Sequence, residues 1–385
     1  MPNEENVSKL ANVWLGAETG LLKSVDLCKK VATNHFEQDK YGKEHEICSM
    51  CWANVEKTKL YTGHKSGAAR CFDLSKGTYT ETHTIPGFQS DKEKLVGLNT
   101  VKDSFLTCTS KGCVKLWSGC SDDVTTEFPA GDDVACISYN EDTHCVAAGG
   151  KENLMKIWDL NATEQPVFKS KNVPPNWLQH RVPVWVTSIL FLPEPTKVLT
   201  TTGTHNVRIY DIKSGQRRPV LETEYSEYPL TASALLHSND NQVIVGNTRG
   251  EMASFDLRKM KQVLRCYKGF AGSIRDIVCH KSMPYIFSCG LDRYLRVHNA
   301  NQPKPIHKVY LKSRLNCLLV TDEDIEKSEG DSKGTKRRAD GSEDENEVGL
   351  WDKMDEISDD DSDELSSDSG ADVNENTLTE KRRKS

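Results

Sequence analysis

A pattern of fifteen residues occurs seven times along this chain, and that count limits the folds open to it. The copies occupy residues 13–27 (VWLGAETGLLKSVDL), 60–74, 105–119, 146–160 (VAAGGKENLMKIWDL), 198–212, 243–257 and 286–300. Each begins on an apolar residue, carries a small residue at position 4 and a turn residue at position 8, then usually an aromatic at 13 and Asp at 14. Successive starts lie 41 to 52 residues apart. That spacing suits one four-stranded blade per copy and is too long for leucine-rich or ankyrin units. Seven copies therefore predict an all-β, seven-bladed propeller. A β-sandwich has no reason to repeat a six-residue interval between a turn residue and an acid.

Each copy reads as a β-hairpin. Position 8 is Gly20, Gly67, Gly112, Asn153, His205, Gly250 or Arg293, and Gly and Asn tolerate the positive φ of a tight hairpin turn. Position 4 is Gly16, Gly63, Cys108, Gly149, Thr201, Gly246 or Cys289, small as expected where inner strands crowd the propeller axis. Position 13 is Val25, Phe72, Trp117, Trp158, Tyr210, Phe255 or His298, large enough to fill the space between blades. Together these positions resemble the WD repeat, most plainly at Trp158-Asp159.

A second apolar strand precedes six of the hairpins, at residues 47–52, 95–98, 134–139, 184–191, 230–235 and 274–279. The first hairpin has none, because residues 1–12 are short and polar and read as a flexible N-terminus. After the seventh hairpin come strand-like runs at 307–312 and 314–320 (RLNCLLV). Leu315 to Val320 is the expected innermost strand of the first blade, closing the ring over residues 13–320 and removing its open edges.

Charge divides the chain. From Thr321 onward there are 23 acidic and 10 basic residues, against 34 and 40 before it. A basic body thus carries an acidic tail, residues 321–385, whose Ser-Asp runs (SDDDSDELSSDSG) bury too little apolar surface to offset ordering entropy; the tail reads as disordered. Two basic clusters interrupt it, Lys336-Arg337-Arg338 and Lys381-Arg382-Arg383-Lys384, and read as nuclear-localisation signals or as charge balance. Ser328, Ser342, Ser358 and Ser369 each have an acid three residues on, as acidophilic kinases prefer. The polar N-terminus and the lack of any apolar run near 20 residues lead us to expect an intracellular protein without membrane contact. Thirteen scattered cysteines fit reduced core thiols better than a disulfide framework.

A search for catalytic chemistry returns little. Cys48 and Cys51 have metal-ligand spacing, but residues three apart on a strand point to opposite faces and no second pair completes a site. There is no HExxH and no G-x-S-x-G, and Gly149-Gly150 precedes a hairpin rather than a helix. We expect no enzyme activity, no cofactor, no metal and no small-molecule substrate.

Binding is the remaining class. The hairpin turns should share one face of the disc, around the mouth of the central channel, and five carry Lys65, Lys111, Lys151, Arg249 or Arg293. Such a ring would meet RNA phosphates or an acidic protein surface; the alternative is solvated turns. A second surface is the long connection VFKSKNVPPNWLQHRVPVW, with Trp177, Arg181 and Trp185. A third is GQRRPVLETEYSEYPLTA, with Arg217, Arg218, Tyr225 and Tyr228. Against this, Trp177 and Trp185 could tuck between blades, and core is the favoured reading for Trp185.

The strings GGKENLMKIWDL, KNVPPNWLQHRVPVW, QRRPVLETEYSEYPLTA, VIVGNTRGEMASFDLR, SCGLDRYLRVH and HKVYLKSRLNCLL closely resemble the WD repeat-containing protein 74 family, over roughly residues 13–319. That resemblance implies a nucleolar factor of large (60S) subunit assembly and pre-rRNA processing that binds proteins and pre-rRNA of the pre-ribosomal particle. It also implies release by a nuclear AAA ATPase resembling p97, and a link to an exosome-associated RNA helicase. The chain departs from ordinary WD repeats in GFAGSIRDI, where Phe270 replaces His, so the usual His-to-Asp network should be degraded. The competing reading is a WD-repeat adaptor for a ubiquitin ligase or chromatin complex.

Overall fold

In the computed structural model, the described residues are 13–35, 41–102, 104–118, 123–239 and 241–322. The N-terminal twelve residues, the acidic tail from residue 323 on and both of its basic clusters lie outside them. Seven four-stranded antiparallel sheets form a seven-bladed propeller. Six blades use four consecutive strands, with innermost strands Ile47–Trp52, Leu95–Val101, Val134–Asn140, Val186–Phe191, Leu230–Leu235 and Ile274–Cys279. Each fifteen-residue copy supplies a blade's second and third strands and the turn between them.

Blade one is assembled from both ends of the described chain. Its innermost strand is Leu315–Val320, paired antiparallel with Val13–Ala17 from Val13 opposite Val320 to Gly16 opposite Cys317. Leu22–Asp26 and Val31–His35 complete the sheet. Just past this closing strand, Lys57 Nζ lies 2.7 Å from Asp322 Oδ1 and donates to Val320 O at 3.4 Å, and it sits 5.6 Å from the Trp52 ring centre.

Because neighbouring strands alternate in direction, the second-to-third turns and the connections between blades share one face, here called the turn face. The first-to-second and third-to-fourth connections share the opposite face. Apolar packing is segregated into seven clusters among the described residues, one at each joint between successive blades. Position 4 is small because of these joints rather than crowding at the axis. A Cβ on Gly63 would stand 2.2 Å from Leu95 Cδ2, and one on Gly16 2.6 Å from Ile47 Cγ2, each a side chain of the next blade's innermost strand.

Position 8 has positive φ in six copies, including the non-glycine residues His205 (53°) and Arg293 (68°). In the fourth copy Glu152 takes the left-handed conformation instead (51°), freeing the Asn153 amide to donate to Ala130 O at 3.3 Å and Asp132 O at 2.8 Å. All seven residues at position 13 are buried. The Asp or Asn at position 14 accepts the backbone N–H two residues on, at 2.9–3.0 Å, in six copies: Asp26, Asp73, Asp159, Asp211, Asp256 and Asn299. It is a local turn former at these positions. Where His is lost, Phe270 stacks on His298 at 5.5 Å and lies 4.8 Å beneath the Arg296 guanidinium.

The run expected at 307–312 is strand over Pro305–Tyr310, the one expected at 95–98 extends to Val101, and one innermost strand starts later than expected. The run at 184–191 becomes strand only from Val186, because Val184 N–H is drawn to the Glu152 carboxylate (3.4 Å) and Trp185 makes an isolated bridge to Lys151.

Two measurements test this packing. Gly63→Val pushes its branched side chain into the buried Leu95 and should cost about 1–3 kcal/mol of stability, read from the urea midpoint. His298 is sealed in its joint with Nε2 beside Lys268 O at 3.0 Å, and burial pulls its pKa down to about 4. Its contribution to stability is complete above about pH 6.5, where the unfolded ring is also neutral, and is lost as pH falls towards 4. Thermal melts across that window should show a shallower acid slope for His298→Phe than for the native chain.

Candidate functional site

The seven innermost strands surround a channel whose cavity, about 550 Å³, is lined by residues from all seven blades, among them Glu46, Lys94, Thr187, Thr231, Asp276 and Asn316. Asp276 sits in this wall and accepts the N–H groups of Ile277 and Leu318, both at 2.9 Å; burial nevertheless pushes its pKa up to about 7. The five basic turn residues do not surround this mouth. They occupy turns between second and third strands, one strand further out, and the innermost strands frame the opening.

Their environments also differ. Lys111 Nζ is paired with the buried Glu93 at 2.5 Å, so its charge is largely compensated. Lys65 is half-buried, with its N–H donated to Glu46 O at 2.8 Å. Lys151 and Arg293 are exposed. Arg249 donates to the Tyr228 hydroxyl and lies 4.9 Å from that ring's centre, which joins the basic turn of blade six to the tyrosine-rich connection beside it.

The structure also joins two segments distant in sequence. Residues 170–185 connect blades four and five, and Arg217 and Arg218 fasten them down. Arg217 Nε donates to Lys169 O (2.6 Å), Arg218 Nε donates to Asn172 O (3.2 Å), and Lys171 N–H donates to Arg217 O (2.8 Å). At the far side Arg181 pairs with Glu152 at 2.7 Å, while Glu152 N–H donates to Val184 O at 2.8 Å. The result is a finger tied at its base to both neighbouring blades. Its tip is a turn in which Asn176 Oδ1 accepts from Leu178 N (3.1 Å) and His180 N (2.9 Å).

Trp177 stands on that tip, 87% exposed, so it does not tuck between blades. Trp185 is not core either. It is 39% exposed, its ring lying where a Cβ on Gly203 would be, because the strand begins one residue later. Tyr225, by contrast, packs edge-on to Phe255 at 5.4 Å, and burial raises its hydroxyl pKa. It belongs to the joint between blades five and six and is poorly placed for contact with a partner.

Two features escape a reading of the sequence by eye. Position 11 is basic in six of the seven copies, and five of the six side chains are buried: Lys23, Arg70, Lys115, Arg208 and Arg296, with Lys156 half-buried. Most reach their own blade's fourth strand: Lys23 to Asn34 (3.1 Å), Arg70 over the Tyr79 ring (3.8 Å), Lys115 towards Glu127 (3.9 Å), Arg208 to Glu222 (2.7 Å). Lys156 donates to Ala130 O (2.9 Å), and Arg296 pairs with the buried Asp292 (2.6 Å). Four of these cations hold outer strands, and the five buried ones are closed to partners. The periodicity at position 11 was the available signal. The other feature is Glu152, which looks like an ordinary turn residue and is the acid that anchors the finger.

Comparison with known proteins matches two repeats, each running from the fourth strand of one blade through the third strand of the next. The family model described as "WD domain, G-beta repeat" matches residues 123–159 and 261–299. WD repeat-containing protein 74 of Bos taurus is 43% identical over 319 residues, covering 81% of this chain and 82% of that protein, and the Homo sapiens protein gives the same figures. The chain belongs to the WD repeat-containing protein 74 family. A more distant relative, "Ribosome biogenesis protein nsa1" of Schizosaccharomyces pombe, is 29% identical over 346 residues, covering 80% of this chain and 88% of that protein. In this family member, no helix among the described residues is long and apolar enough to cross a membrane, and no cluster of three or more His, Cys, Asp or Glu could hold a metal. Burial pushes the Cys48 and Cys51 thiols up to about 12, which keeps both protonated.

Glu152→Ala should release Arg181 and the finger while costing less than about 1 kcal/mol, since the pair is largely exposed. Hydrogen exchange should show faster exchange confined to residues 172–184, with the global melting temperature nearly unchanged.

Proposed function

We propose that this protein is a ribosome biogenesis factor, a non-enzymatic propeller scaffold that binds proteins and pre-rRNA of nucleolar pre-ribosomal particles during large-subunit assembly. The observation that carries the reading is similarity across most of the chain both to WD repeat-containing protein 74 and to a protein named for ribosome biogenesis. The turn face supports it, with Lys65, Lys151, Arg249 and Arg293 spread over four blades as a surface for phosphates or acidic protein. Trp177, Arg181 and Tyr228 extend that surface on one side, and Arg217 and Arg218, from the third-to-fourth connection of blade five, are fastened to it. In this reading Lys336, Arg337 and Arg338, with Lys381, Arg382, Arg383 and Lys384, direct nuclear import. An AAA ATPase releases the protein from the particle, and an exosome-associated helicase works alongside it.

Tagged protein from nuclear extract should sediment with large-subunit precursor particles, shift to light fractions after ribonuclease treatment, and bring large-subunit assembly proteins with it in mass spectrometry. A light, ribonuclease-indifferent complex containing a ubiquitin ligase or histones would overturn the proposal in favour of an adaptor. Combined Lys65→Glu, Lys151→Glu, Arg249→Glu and Arg293→Glu should remove the protein from the heavy fractions with its thermal melt preserved.

A further inference from the structure

Trp177 is held where nothing in the fold needs it. A tryptophan can bury 150–250 Å² or so of surface, yet this one is 87% exposed. Its backbone is nevertheless well fixed. The tip is closed by Asn176 N–H to His180 O (2.9 Å) and Gln179 N–H to Asn176 O (2.8 Å), and the base by Asn172 Nδ2 to Val182 O (2.8 Å). Pro174, Pro175 and Pro183 stiffen the intervening chain. An aromatic presented on a pre-ordered backbone loses little conformational entropy on binding.

The base of the finger carries several cations. Lys151, Lys169, Lys171, Arg217 and Arg218 are exposed, and none is paired with a carboxylate among the described residues. Arg217 and Arg218 use Nε on main-chain oxygens. Glu152, which contacts the finger, is already engaged by Arg181, and Asp133 borders Lys151 alone. A flat ring at the tip of a finger whose base carries exposed cations matches a ligand that offers both a flat face and repeated negative charge.

We propose that the finger at residues 170–185, with Arg217 and Arg218, is a binding site for single-stranded RNA, in which Trp177 stacks on an unpaired base and Lys151, Lys169, Lys171 and the two arginines hold the adjoining phosphates. The inference rests on the reading of this protein as a factor acting on pre-ribosomal particles, and it narrows that reading to a direct RNA contact at one place, where the connection between blades four and five meets the third-to-fourth connection of blade five. Stacking of this kind tolerates any base, so the site selects unpaired over duplex RNA more than it selects sequence.

The test uses the full-length protein and a fluorescein-labelled oligouridine of about twelve nucleotides, followed by fluorescence anisotropy over a salt series. The native chain should bind it more tightly than an RNA duplex of equal length. Trp177→Ala should weaken binding about 5- to 150-fold, and Trp177→Phe should restore much of the loss. Combined Lys151→Ala, Lys169→Ala and Lys171→Ala should reduce the slope of log affinity against log salt by about 2. Arg258→Ala, in blade six and paired with its own Asp256, should change neither. Circular dichroism melts check that each variant folds.

Failure to bind the oligonucleotide, or equal affinity of the native chain and Trp177→Ala, overturns the RNA site. Neither result touches the function proposed above, which stands or falls on co-sedimentation with precursor particles. If Trp177→Ala leaves oligouridine affinity intact but removes the protein from those particles, the finger docks on a protein and the RNA assignment is wrong.

Discussion

Each blade of this propeller has an apolar surface that only the next blade can cover. The second strand of one blade carries Gly16 or Gly63, and the innermost strand of the next blade lays Ile47 or Leu95 into the space a side chain would occupy. Seven such joints arranged in a circle have no first or last member, so the stability of any one depends on the ring being complete. That is why blade one is built from residues almost at opposite ends of the described chain, with Leu315–Val320 seated against Val13–Ala17. Without that pairing, the joints flanking blade one, rich in Leu15, Leu318, Ile47 and Phe72, would be open to water.

The closed ring then determines how charge can be used. Cations at position 11 sit inside the blades, where carboxylates, an amide, an aromatic ring or main-chain oxygens receive them, so they add nothing to the surface that a partner would meet. A net basic body is therefore a poor guide to a basic face. The exposed cations that matter are fewer, and several cluster around the connection between blades four and five. There the fourth strand of blade four is only Phe168–Lys169, which ends opposite the first residue of the third strand, and the chain that follows it forms the finger.

What could be read from the sequence followed its periodicity. Seven repeats, their hairpins and the closing strand were legible because each imposes a local rule on residue type at a fixed interval, such as burial at position 13. Positive φ at position 8 was legible for the glycines, and the exception at Asn153 was not, because the shift to Glu152 depends on contacts with residues 130 and 132. The binding face was legible only as candidates. Trp177 and Trp185 were visible as unusual residues, but their exposure follows from where Glu152, Arg217 and Arg218 pull the chain, and those contacts span 29 to 48 residues of sequence. Lys111 and Tyr225 looked like surface residues, and a buried acid and a neighbouring Phe ring set their actual settings.

The place where the described chain leaves the propeller has a mechanical meaning. Lys57 grips Val320 O and Asp322 on the face opposite the finger, immediately after the strand that closes the ring. Tension applied to the chain beyond Asp322 would meet that lysine first and then the hydrogen bonds between Leu315–Val320 and Val13–Ala17. Removal of that strand would open two joints at once, so a pull on this end of the described chain acts on the closure of the ring, from the face opposite the finger.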